Sequence, residues 1–116
     1  MATVFKELNT LIPISDSVGS HLTNAADKTQ MIHGIYLHNT HTSSILVTVY
    51  KVPDDGGSVG IPGAGNQIAK LTLDTLETFA INDISMYLAD EGDSIQAVAA
   101  TASKVNIFIE GAEIDT

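Results

Sequence analysis

MYLADEGDSIQAVAATASKVNIFIEGAEI, residues 86–114, is the stretch whose reading decides the fold. Near its end Val105, Ile107 and Ile109 fall on one side of an alternating pattern, and Lys104, Asn106 and Glu110 fall on the other. Side chains on a strand change face at every residue, so this alternation marks a sheet with one buried face. Similar runs, cut by turn residues, recur back to Met31. No catalytic constellation interrupts them. The residues alone predict an all-β domain and name no reaction.

Working outward, strands are expected at 31–38, 45–52, 67–73, 75–81, 84–88, 94–99 and 104–110. The breaks are rich in Asp, Asn, Gly, Ser and Thr, and Pro53 closes the second run. Turn signals arriving about every eight to twelve positions are what a sandwich or small barrel requires. The expected fold is an antiparallel two-sheet sandwich, jelly-roll-like, over residues 25–116. Residues 1–24 are expected to be an N-terminal arm followed by a first edge strand. Pro13 prevents a helix from running through this arm, because it lacks an amide donor and clashes with the preceding turn. The arm's apolar residues must be buried either on its own sandwich or on a neighbour, and the sequence leaves both open.

Several strands carry apolar residues on both faces. Leu46, Tyr50 and Val52 oppose Ile45, Val47 and Val49, and Phe108 sits among Lys104, Asn106 and Glu110. A sandwich buries only its inner faces, so the outer ones need cover from the arm or from another subunit. Phe5, Leu8, Leu11, Tyr50 and Phe108 are therefore the candidate partner contacts.

Composition narrows the functional classes. A chain of 116 residues makes one domain and buries roughly two-thirds of its unfolded surface. It has no Cys, hence no disulfides and no thiolate metal sites. Fourteen acidic residues stand against five Lys and no Arg, for a net charge of −9. Nucleic-acid binders need cations to displace phosphate counterions, and anionic membranes repel such a chain, so neither partner is expected. No apolar run approaches the ~20 residues of a membrane span. The N-terminus lacks the basic and apolar regions of a secretory signal, which predicts assembly in the cytoplasm.

No candidate for chemistry is complete. His33 and His38 differ by an odd number and are expected on opposite faces of one strand. His38 and His41 flank a turn, but two imidazoles without a third ligand fall short of a zinc site. Asp90, Glu91 and Asp93 surround Gly92, and Asp54-Asp55-Gly56-Gly57 is a second acidic turn. Both read first as solvated turns, since the twelve-residue calcium loop is absent. The glycine-rich segment 54–66 lacks the Gly-Lys-Ser/Thr ending of a phosphate loop and reads as a mobile or partner-contacting loop. Catalytic, metal and cofactor-binding residues are all expected to be none, and the protein is not expected to be an enzyme.

The order of elements carries a resemblance. HGIYLHNT at 33–40 precedes ILVTVY at 45–50, then YLADEGDSIQA at 87–97 and KVNIFIEGAE at 104–113. This resembles the small virion structural proteins of tailed bacteriophages, over about residues 30–114. The resemblance implies a β-sandwich packed into a phage particle, first as a capsid decoration or cement protein. A neck or tail accessory protein is the alternative. It further implies trimers or similar cyclic oligomers, contact with the major capsid protein, and a location in the virion after assembly in the host cytoplasm. The glycine-rich insertion and the N-terminal arm depart from the pattern. A carbohydrate-binding module is the alternative of another class, disfavoured by the absence of Trp and the presence of only Tyr36, Tyr50 and Tyr87.

Overall fold

Nine strands build two antiparallel sheets in a computed structural model that describes residues 3–9, 11–82 and 85–116. They are β1 (Thr3–Glu7), β2 (Gly19–Thr23), β3 (Lys28–Asn39), β4 (Ile45–Val52), β5 (Gln67–Leu73), β6 (Thr78–Ile81), β7 (Met86–Leu88), β8 (Ser94–Ala99) and β9 (Val105–Asp115). One sheet runs β1-β9-β3-β6, with β7 also on β3, and the other runs β2-β8-β4-β5. The pairings β1–β9, β2–β8, β3 with β6 and β7, and β4–β5 nest inside one another. The chain is thus one long hairpin, rolled up and closed by the β3–β9 and β4–β8 ladders. That is the jelly roll expected from the strand pattern. The glycine-rich loop is the tip of the rolled hairpin.

The core lies between the inner faces. Ile35, Leu37, Ile107 and Ile109 of the first sheet meet Val47, Val49, Ile95 and Ala97 of the second, all essentially inaccessible. Each large apolar side chain so buried stabilises the fold by roughly 1.5–3 kcal/mol. Ile14, in the β1–β2 connection, joins this core, and its backbone bonds to Val105 O (2.8 Å) and from Ser103 N (3.0 Å). Two buried asparagines tie turns together. Asn39 donates to Leu73 O (3.1 Å) and Ser43 O (3.0 Å), while Asn24 donates to Lys28 O (2.8 Å) and Asp90 O (3.1 Å).

Strands β4, β5 and β8 occupy the expected residues. Others differ for local reasons. The expected strand at 75–81 begins only at Thr78, because Glu77 N bonds back to Asp74 O (3.0 Å) and Leu76 adopts φ 60°. β9 runs on to Asp115, with β1 and β3 pairing on either side of it. Ile84 of the expected strand at 84–88, like Met1, Ala2 and Thr10 of the arm, lies outside the described residues. Part of the expected arm is docked at home: Thr3–Glu7 pairs with β9, and Leu8 packs against the core.

One bulge reorganises β3. The register shifts between Ile32 and Gly34, leaving His33 as the extra residue. Ile32 and Ile35 are consequently both buried although three apart. Beyond a bulge the facing parity inverts. The expectation that His33 and His38 face opposite sides is therefore corrected: both lie on the outer face with Tyr36. Opposite the bulge, β9 comes so close that any side chain at Gly111 would be driven into the Met31 carbonyl oxygen.

Candidate interaction surface

The β3 bulge, the β9 alternation and the docked β1 together build the outer face of the first sheet. Phe5 and Glu7 come from β1, His33 and Tyr36 from β3, and Phe108 and Glu110 from β9. These six line a groove of about 540 Å³. Phe5 is 75% exposed and stands edge-on to His33, ring centroids 6.3 Å apart and planes at 78°. Tyr36 and Phe108 are register partners, as are Glu7 and Glu110. The Tyr36 ring lies across Gly34, where a Cβ would come within 3.0 Å of its hydroxyl. That freedom lets the phenol donate to Glu110 Oε1 at 2.9 Å. The bond to Glu110 raises the phenol's pKa above its usual value, with desolvation and the nearby charge adding to it.

Phe108 also borders a second groove of about 220 Å³, formed with Leu11, Ile12 and Pro13. The two grooves meet at Phe108 along the β1–β9 margin, the first mixing aromatic rings with charged groups and the second mainly apolar. Leu11 and Ile12 are more than half exposed there. Of the candidate partner contacts, Phe5, Leu11 and Phe108 are brought together on this surface. Leu8 sits beneath it, half-buried against the core. Tyr50 lies on the other sheet, half-buried on β4. Sequence reasoning left out Ile12, which is adjacent to Leu11 but beside Pro13, and Ile61, which is 91% exposed in the glycine-rich loop.

That loop is not free over its length. It folds onto the outer face of the second sheet, where Gln96 Nε2 donates to Gly60 O at 3.0 Å. Val52, Ser94 and Gln96 are buried beneath or beside it. A Cβ at Gly60 would meet Pro53 O at 2.5 Å and Val52 at 3.1 Å. Gly92, at φ 94°, lies against Ser58 O where a Cβ would come to 2.6 Å. The outward apolar Val52 is thus covered by the chain itself, whereas Phe108 is 38% exposed.

The two acidic turns converge. Asp54, Asp90 and Asp93 place carboxylate oxygens within 4.8 Å of one another, while Glu91 is not in the group. Their oxygens already serve the turns: Asp93 accepts from Asp54 N (2.9 Å) and Asp90 N (3.1 Å), and Asp54 accepts from Gly57 N (3.0 Å). Among the described residues the histidines join no such group. His38 Nδ1 instead lies 2.7 Å from Thr78 Oγ1. No helix among the described residues is long and apolar enough to cross a membrane.

Fold and surface define a jelly-roll domain with an aromatic and apolar outer margin. No family model matches the chain, and no curated protein matches it in sequence. Among solved structures it is similar to a chain of the disulfide-linked pili that form Bacillus endospore appendages. Identity there is 13%, the match covers 98% of this chain and 88% of that one, and the TM-score is 0.55. It is also similar to a chain of the virus-like particle of extra small virus from the giant freshwater prawn Macrobrachium rosenbergii. That match has 10% identity, covers 100% of this chain and 81% of the other, and has a TM-score of 0.51. At such identities the likeness establishes a shared fold.

Proposed function

We propose that this chain is a structural, non-enzymatic subunit of a virion, and specifically a decoration or cement protein on the head of a tailed phage. The observation that carries the reading is the surface joined at Phe108, where Phe5, Leu11 and Ile12 are exposed along one margin. Contiguous exposed apolar surface of this kind marks contact with another protein. Both fold neighbours are parts of repeating assemblies, a pilus and a virus-like particle, which supports a role as a building block. With no cysteine, this chain forms no disulfide links of the kind that join those pili. Copies and partners must be held by surface alone.

In this reading the sandwich bodies form trimers or similar cyclic oligomers, and the β1–β9 margin seats on the major capsid protein. A protein that binds only the assembled shell stabilises it by mass action. Head particles stripped of the chain should melt at lower temperature and recover on adding it back. Unchanged melting would reject the cement role. Copy number separates the neighbouring reading: about a dozen or fewer per particle would indicate a neck or tail ring, because ring symmetry fixes the count.

A further inference from the structure

The groove lined by Phe5, Lys6, Glu7, His33, Tyr36, Phe108, Glu110 and Gly111 has a chemistry that general stickiness does not explain. Glu7 and Glu110 are directly opposite each other across the β1–β9 ladder, and both are exposed. Like charges in that position destabilise a sheet. Lys6 also lines the groove, but its ammonium pairs with Glu113 at 3.3 Å and not with Glu7 or Glu110. Tyr36 occupies one oxygen of Glu110 and leaves the other free to accept. Three aromatic residues, Phe5, Tyr36 and Phe108, line the same groove as this pair of carboxylates.

We infer that this groove is a socket for an arginine side chain presented by a different protein. A guanidinium is planar, donates through a fixed fork suited to two carboxylates, and stacks on aromatic faces. It would convert the Glu7–Glu110 repulsion into two charge-assisted hydrogen bonds. Charge complementarity selects the source. This chain carries −9 overall and contains no arginine, so a second copy cannot supply the group. The occupant belongs to a partner with a basic surface, and the proposed function makes that partner the shell protein.

The probe is acetyl-Gly-Arg-Gly-amide, titrated into the 15N-labelled protein alongside its lysine and citrulline counterparts. Amide shifts should be confined to residues 5–7, 33–36 and 108–111. Glu110→Gln and Glu7→Gln should each weaken binding by about tenfold while leaving the rest of the spectrum in place. The citrulline peptide, equal in shape but uncharged, should not bind. Equal binding of the citrulline peptide, equal binding of the lysine peptide, or indifference to both glutamine variants would overturn the socket. Self-association that disappears in Glu110→Gln would also overturn it, by making a second copy the occupant. Failure here is separable from failure of the proposed function. Particles that bind wild-type and the Glu7→Gln/Glu110→Gln double variant equally would reject the socket and keep the decoration role. A chain that binds the arginine peptide but no particle would do the reverse.

Discussion

Replacing Gly111 with alanine should unseat β9 from β3. The new methyl group would collide with the Met31 carbonyl oxygen, and would stand 2.9 Å from that carbonyl's carbon and 3.2 Å from His33 N. Carbon atoms rest at about 3.5–4.0 Å, so one strand must retreat, and both obstacles are backbone. Losing two ladder hydrogen bonds there would cost about 1 kcal/mol each. Overpacking adds about 1–3 kcal/mol, giving a loss of roughly 3–5 kcal/mol. That is a large fraction of the ~5–15 kcal/mol that holds a domain of this kind together. Urea unfolding followed by circular dichroism at 25 °C would read it as a lower midpoint at unchanged slope. Gly19→Ala is the control, because nothing lies within 4 Å of a Cβ there. It should stay within about 0.5 kcal/mol of wild type. A Gly111→Ala protein within about 1 kcal/mol of wild type would refute the close-approach argument, since overpacking alone should exceed that. It would also undermine the bulge that puts His33 and Tyr36 on the outer face.

Other perturbations follow from the same structure. Leu76 is 67% exposed at φ 60°, a conformation L residues resist, so Leu76→Gly should raise stability by about 0.5–1 kcal/mol in the same urea assay. His21 is buried and its Nδ1 has no hydrogen-bond partner among the described residues; burial pushes its pKa down. The unfolded chain then takes the proton first, so this contribution is complete above about pH 6.5 and is lost as pH falls from there toward the lower folded value. His21→Leu should accordingly lose less stability than wild type between pH 8 and pH 5.5, and parallel curves would reject the assignment. Phe5→Ser and Leu11→Ser, at exposed positions, should change stability by no more than about 0.5 kcal/mol yet abolish binding to head particles.

Much of this fold was legible because alternation survives where each strand has one buried face. The bounds of β4, β5 and β8 can be read directly from Ile45-Leu46-Val47, Gln67-Ile68-Ala69 and Ser94-Ile95-Gln96. What could not be read was the parity change at His33, because a bulge adds a residue without disturbing composition. Gly34 was the available signal, since a lone glycine inside a strand often marks one. The end of β9 was hidden for a related reason: Gly111-Ala112 interrupts the apolar rhythm while the ladder continues. Phe108 was visible as an apolar residue on a polar face. Its union with Phe5 and Leu11 was not, because that depends on where β1 and the segment around Leu11 dock. The two acidic turns looked independent in sequence and meet only through the packing of the glycine-rich loop on the β7–β8 turn.

The central claim is that the β1–β9 margin is bare in the free chain and covered in the particle. Hydroxyl-radical footprinting read by mass spectrometry can compare Phe5, Leu11 and Phe108 in the two states. Strong labelling of all three in the free protein and protection of all three in purified particles is the predicted result. Equal labelling in both states would contradict it.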